Sequence, residues 1–264
     1  MKNEYFFKII IPNYNNGEWI GKCLNSIFNQ TFKDYVVVVI DDVSTDNSVE
    51  VVQEYSNKDM NIHLIQALDK VYNGGARNIG IKDVSINSTY TLFIDSDDWY
   101  KDDNVLEKIH KVIMDNNFPD CVSLSYDCLI SDTCHRQVLV RNSREEMVSS
   151  LYVACWTKCI KSDLVVEFPE NTLMEDVVQH IKQCDNIESI VSIEDSCIVW
   201  NRNNTNSCSR VENQDLQRGK WQSSMYRYCA DLMDLECKNK CCEEHRQWRL
   251  SVVVDNIKNG VYLQ

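Results

Sequence analysis

Tyr35-Val36-Val37-Val38-Val39-Ile40, closed at once by Asp41-Asp42, is a nearly pure β-branched run ending in paired carboxylates. β-Branched side chains lose freedom in a helix and pack well on a pleated surface, and a run without polar alternation suits a parallel strand covered on both faces. Upstream, the apolar run Phe7 to Ile11 ends at Pro12, and Trp19, Ile20, Cys23, Leu24, Ile27 and Phe28 then recur at helical spacing. Downstream, Ser44, Thr45 or Asp46 can cap a helix over Ser48 to Tyr55, and Ile62 to Ile65 reads as a third strand. Gly74 and Gly75 open a short helix over Ala76 to Lys82, Thr91 to Ile94 is a fourth strand, and Asn104 to Met114 is helical. This alternation predicts an α/β fold, an open and mostly parallel twisted sheet flanked by helices, whose ligands bind beyond the carboxyl ends of the strands.

After about residue 120 the pattern loosens. Cys121 to Tyr126 reads as a strand, Glu145 to Tyr152 and Asp176 to Cys184 as helices, and Ser189 to Trp200 as one or two strands with a turn near Glu194-Asp195. Two further helices are predicted over Asp215 to Leu235 and Glu243 to Ile257. The expected organisation is a main domain over 1–209, with a nucleotide-binding half (1–120) and a second half (121–209), followed by a helical extension over 210–264.

The 264 residues, 44% hydrophobic and 25% charged, suffice for a full core. The formal net charge of -13 disfavours a protein that grips nucleic acid through its phosphates. The excess acid lies before Arg210, since the remainder carries 9 Lys+Arg against 8 Asp+Glu. No stretch approaches the roughly 20 apolar residues of a bilayer span, and Met1 to Tyr5 runs straight into a strand-like segment, so the expectation is a soluble, cytoplasmic protein. The C-terminal helices are open to an oligomer contact or to peripheral contact with a membrane surface. Thirteen cysteines without paired C-x-x-C spacing argue for reduced thiols. Cys237, Cys241, Cys242 and His245, and the looser pair Cys155 and Cys159, come nearest to a zinc-ligand cluster, and small apolar packing is the plainer reading.

Asp41-Asp42 and Asp95-Ser96-Asp97-Asp98 each follow a buried strand, so both should converge on one rim of the sheet. Carboxylates clustered there can hold a hard divalent cation, which typically bridges to substrate phosphates. Alone, a D-x-D also serves as a helix cap. Glu175-Asp176 is a second acidic pair, which equally suits the N-terminal end of a helix.

Four segments in order and spacing, Pro12-Asn13-Tyr14-Asn15, Asp41 to Asp46, Gly75-Ala76-Arg77-Asn78-Ile79-Gly80 and Asp95 to Asp98, resemble family 2 glycosyltransferases. The likeness is close over residues 6–115 and looser through Trp156-Thr157-Lys158, Glu175-Asp176 and Arg202 to Ser207. It implies a GT-A type fold and inverting transfer of a sugar from a nucleoside-diphosphate donor, UDP favoured, to a hydroxyl of a glycan or lipid-linked saccharide. A modified nucleic acid base, a protein or a small metabolite is the alternative acceptor, and a non-catalytic nucleotide-binding module the alternative role.

Carried over by position, the resemblance implies that Pro12, Tyr14 and Asn15 line the nucleotide pocket and that Asp41 or Asp42 accepts a hydrogen bond from the base. Arg77 would sit near the base or the phosphates, Asp95 and Ser96 on the ribose side, and Asp98 outside the metal or against the sugar. Asp97 would ligate Mn²⁺ or Mg²⁺, and Arg202 would close over the diphosphate. Asp176 would be the general base, on the face opposite the leaving group, with Glu175, Trp156 and Lys158 toward the acceptor.

Position 43 is Val where the family usually has Gly, so the turn after Asp42 is expected not to use a positive φ there. Gln217-Arg218-Gly219-Lys220-Trp221 is similar to the Q-x-x-R-W element of processive polysaccharide synthases, but with Lys for Arg and no membrane spans it reads as coincidence.

Overall fold

The computed structural model describes residues 4–207 and 228–258, other than 60, 151, 171, 173 and 229. The strands of the first half are β1 (Glu4–Asn13), β2 (Tyr35–Asp41), β3 (Ile62–Gln66), β4 (Asn87–Phe93) and β5 (Trp99–Tyr100). Between them run α1 (Ile20–Phe28), α2 (Ser48–Ser56) and α3 (Tyr72–Lys82), with α4 (Val105–Asp115) after β5. The second half contributes β6 (Cys121–Ile130), β7 (Thr133–Gln137), α5 (Arg144–Ser149), β8 (Lys158–Lys161), α6 (Glu175–Asn186), β9 (Ile190–Asn201) and α7 (Lys240–Lys258).

The nine strands among the described residues form one sheet in the order β3-β2-β1-β4-β8-β6-β9-β5, with β7 paired on β6. The β3-β2-β1-β4 half is parallel throughout, and β8 joins it to the second half by antiparallel pairing on both sides. Every residue of β2 is buried, as its unalternating sequence predicts. Alternate residues of β1 and β2 feed opposite faces. Ile9, Ile11, Val37 and Val39 pack with α1, α2 and α4, whereas Ile10, Val36, Val38 and Ile40 pack with Ala76 of α3 and with Phe168. On the α3 side the approach is very close, because a Cβ at Gly80 would lie 2.7 Å from Ile10 Cγ2.

The third helix starts at Tyr72, ahead of the glycines expected to open it. Ser189 to Trp200 holds no turn. It forms a single strand, β9, whose register against β6 shifts around Ser125, so the polar Glu194-Asp195 pair marks a bulge. A second core unites α5, α6 and α7 with Tyr228, Leu232 and Leu235, so α7 and these described residues are packed on the body of the protein. The boundary expected at 209/210, most of the helix expected over Asp215 to Leu235, and Gln217 to Trp221 lie outside the described residues. Among the described residues no helix is long and apolar enough to cross a membrane, the cysteines are free thiols, and no three His, Cys, Asp or Glu are grouped to hold a metal by themselves.

Candidate active site

Parallel register brings the motif loops together. Pro12 and Asn13 lie beside Ile40 and Asp41, Asp41 lies beside Gln66, and Ile10 lies beside Phe93, so the loops after β1, β2, β3 and β4 leave the sheet along one rim. Asn13 Nδ2 donates to Asp41 Oδ1 at 2.9 Å, and the Ser44 amide donates to Asp41 Oδ2 at 3.0 Å. The buried Asp42 accepts from the amides of Val71 and Tyr72 at 2.7 and 2.9 Å and pairs with Lys70 at 2.9 Å. Both carboxylates of the pair therefore tie the rim loops to one another.

Lys70 also lies 2.7 Å from the Tyr14 ring centroid and 5.8 Å from that of Tyr72. Both rings remain nearly half exposed, so this corner offers two aromatic surfaces and a cation. The backbone around it is bent into the left-handed region at Asn15 (φ 48°), Val43 (φ 61°) and Tyr72 (φ 59°). At position 43 the expectation fails. The turn after Asp42 does take a positive φ, without glycine, and the Asp41 Oδ2 bond to the Ser44 amide on its far side holds it there.

After β4 the acidic run is crowded. Asp97 is pushed up to about 6 by burial and by Asp95, against a 2.8 Å hydrogen bond from Asn204 Nδ2 to Asp97 Oδ2. Asp98 is raised by burial and by Asp97 and Asp95. Its Oδ1 accepts from the Asn201 amide at 2.8 Å, and its Oδ2 is buried without a partner. Ser96 Oγ accepts from Asn16 Nδ2 at 2.8 Å, and Asn204 Nδ2 donates to Asn16 Oδ1 at 3.1 Å, closing a ring of polar side chains around Asp97.

The fully buried guanidinium of Arg77 joins this run to the second acidic pair. Nη2 reaches Asp95 Oδ1 at 2.7 Å, and Nη1 reaches Glu175 Oε1 at 3.1 Å and Asp176 Oδ1 at 3.4 Å. Glu175 is raised to about 7 by burial and by Asp176, with Arg77 opposing. Asp176 keeps about a quarter of its side chain exposed at the N-terminal end of α6. Two acidic clusters far apart in sequence thus form one site.

The family model for glycosyl transferase family 2 matches residues 8–139, which are 132 of the 264 residues. The chain belongs to glycosyl transferase family 2. It is 32% identical over 173 residues to the glycosyltransferase GlyA of Streptococcus pneumoniae serotype 4, a span of 59% of this chain and 24% of GlyA. Over 98 residues it is 37% identical to the poly(ribitol-phosphate) beta-N-acetylglucosaminyltransferase TarS of Staphylococcus aureus, covering 35% of this chain and 16% of TarS. These curated relatives are much longer proteins, of which the chain spans a quarter or less. Its fold matches S. aureus TarS 1-349 in complex with UDP-GlcNAc at a TM-score of 0.73 and 22% identity, over 94% of this chain and 71% of that one. It also matches the mannosyltransferase PcManGT of Pyrobaculum calidifontis, in complex with GDP-Man and Mn²⁺, at 0.64 and 15% identity, over 97% and 75%.

In this member of the family, the hard oxygen donors of Asp95 to Asp98, the unpartnered Asp98 Oδ2, and the burial and Asp95 charge that raise Asp97 fit a divalent cation. Two residues expected toward the acceptor are buried. Trp156 is 5% exposed, edge-on to Tyr126 at 4.9 Å, and belongs to the main core. Lys158 is fully buried, its Nζ donating to the carbonyls of Val153 and Ala154 at 2.8 and 3.1 Å. Backbone carbonyls satisfy that ammonium, and no sequence pattern announces them. Arg202 stacks over Trp200 at 4.6 Å. Pro12 is buried at the end of β1, and Asn15 Oδ1 accepts from the Thr45 amide at 2.7 Å.

Asn16, Lys70, Tyr72 and Asn204 belong to the site and are not among the residues that sequence reasoning singled out. Asn16 follows Pro12-Asn13-Tyr14-Asn15 directly, and Asn204 lies in the loop Arg202 to Ser207, so their positions carried a signal. Lys70 lies in the loop after β3 and Tyr72 opens α3, and their only cue is that place in the chain.

Proposed function

We propose that this glycosyltransferase moves a sugar from a UDP-sugar to a hydroxyl of a glycan, a lipid-linked saccharide or a related polyol polymer, with inversion at the anomeric carbon. The observation that carries this reading is the joining of the Asp95 to Asp98 run to Asp176 through Arg77. The UDP-GlcNAc held by a protein of the same fold supports the donor, and the poly(ribitol-phosphate) acceptor in the names of two relatives supports the acceptor class. The division of labour follows the chain: residues 1–120 bind the donor, 121–209 supply the base and acceptor side, and the helices after 210 buttress them.

Tyr14 and Tyr72 offer faces for the base beside Lys70, and Asp95 and Ser96 reach the ribose side. Asp97 would hold Mn²⁺ or Mg²⁺, with Asp98 supporting it; when bound, the cation neutralises charge on the departing diphosphate. Asp176 takes the proton of the acceptor hydroxyl as its oxygen bonds to the anomeric carbon, and the bond to the diphosphate oxygen breaks with its electron pair leaving on the nucleotide. Arg202, two residues before the Asn204 that bonds Asp97, would meet that developing charge.

The test is release of UDP from UDP-GlcNAc with Mn²⁺ and candidate saccharide acceptors, by wild type, Asp97→Asn and Asp176→Asn. Release by wild type and its loss in both variants is expected. Full activity in Asp97→Asn would remove the metal assignment, and full activity in Asp176→Asn the base.

A further inference from the structure

Arg77 is buried, and its guanidinium is bonded to three carboxylates. The structure assigns Arg77 a positioning role: its guanidinium holds the general base Asp176 in register with the donor-side carboxylate Asp95, and α3 is the rigid arm that carries it. This deepens the reading of Asp176 given above.

Three observations converge on it. Arg77 is 1% exposed, and its terminal nitrogens are divided between Asp95 on one side and Glu175 with Asp176 on the other. A planar fork of donors can bridge carboxylates in fixed directions, which an ammonium cannot reproduce. The Phe168 ring lies 5.2 Å from the guanidinium carbon and backs it from the segment leading to α6.

The same face of α3 grips that segment at two more points. Asn78 exchanges a pair of hydrogen bonds with the Phe168 backbone, Nδ2 to the carbonyl at 2.9 Å and the amide to Oδ1 at 2.8 Å. A Cβ at Gly74 would meet the Pro169 carbonyl oxygen at 2.7 Å and Glu175 Cβ at 3.4 Å. Positions 74, 77 and 78 fall on one helical face at i, i+3 and i+4. The face therefore docks the base-bearing segment against the donor half, and Arg77 is its only charged member.

The groups that act on Asp176 are few. Burial raises it, Arg77 lowers it, Asp95 raises it, and Lys158 and a hydrogen bond from Cys155 lower it, with Glu175 the adjacent like charge. Arg77 is the largest influence keeping the base ionised.

The experiment is a ¹³C carboxyl NMR titration of the full chain, with the Asp176 signal assigned by its loss in Asp176→Asn. In Arg77→Gln the Asp176 pKa should rise by about one to three units, and in Arg77→Lys by less. Asn78→Ala keeps the guanidinium and releases the Phe168 backbone that docks the base-bearing segment against it, so Asp176 should rise by less; this variant decides the question if the Arg77 variants do not fold. An Asp176 pKa unmoved by the Arg77 and Asn78 changes overturns the assignment. The titration needs no donor, so failure of the UDP-sugar reading leaves it readable. Where wild type releases UDP from UDP-GlcNAc, Arg77→Lys should lose about a hundredfold in kcat with KM within a few-fold. A raised KM at unchanged kcat would instead make Arg77 a donor contact.

Discussion

The donor rim and the half that carries the base are built from the same kinds of residue, and they teach different lessons. On the rim, four parallel strands deliver short motif loops side by side, and polar side chains bond across those loops, Asn13 with Asp41, Asn204 with Asp97, and Asp42 with the amides of Val71 and Tyr72. In the second half, polar side chains turn inward onto backbone. Lys158 caps two carbonyls, and Arg141 donates to the Tyr152 and Thr157 carbonyls and to Ser123. The rim uses its polar groups to tie loops to one another, whereas the second half uses them to satisfy irregular backbone inside the core.

The sharpest way to break this contrast is to remove one carboxylate from each of the two acidic clusters that Arg77 joins. Asp176→Asn should cost about 10² to 10⁴ in turnover while leaving nucleotide-dependent stabilisation intact. Asp97→Asn should cost about 10² to 10³ and abolish the part of nucleotide binding that needs metal. Equal loss of binding in both variants would erase the distinction between the two sides.

A second comparison concerns the two residues that the sequence placed near the acceptor. Trp156→Ala should destabilise by about 3 to 5 kcal/mol in denaturant melts, as a core truncation does, without a selective rise in acceptor KM. A selective rise at unchanged stability would return Trp156 to the acceptor pocket.

Smaller effects separate strain on the rim from burial in the extension. Val43 holds a β-branched side chain at positive φ, so Val43→Gly should raise stability by up to about 1 kcal/mol, net of the glycine's greater unfolded-state entropy. On α7, burial and the neighbouring Arg249 lower His245 to about 4. The unfolded chain takes up that proton near its ordinary 6.5, the folded chain only near 4, so stability contributed by the neutral ring is present above 6.5 and is lost as pH falls through that window. His245→Gln should flatten thermal melts between pH 6.5 and 4.

Legibility in the sequence follows the same division. Tyr35 to Ile40 needed no context, because a strand buried on both faces has no alternative pattern, and with Phe7 to Ile11 and Thr91 to Ile94 it placed the acidic runs on one rim. Glu194-Asp195 was misleading, since an acidic pair suits a turn as well as a bulge and only the register against β6 decides. Trp156 and Lys158 look like acceptor residues until the carbonyls of Val153 and Ala154 and the ring of Tyr126 come into contact with them. Arg77 was visible as part of a motif, but its partners Glu175 and Asp176 lie almost a hundred residues away, and no local pattern encodes such a contact.

Thermal melts of wild type and Asp97→Asn with UDP, GDP, CDP and TDP, each with and without Mn²⁺, test the central claim most directly, because a ligand that binds only the folded state must raise its apparent stability. A rise in wild type with UDP that depends on Mn²⁺, and its loss in Asp97→Asn, is the predicted result. No stabilisation of wild type by any of the four nucleotides, or one that Asp97→Asn keeps in full, would contradict the assignment of the rim as a metal-assisted nucleotide-sugar site.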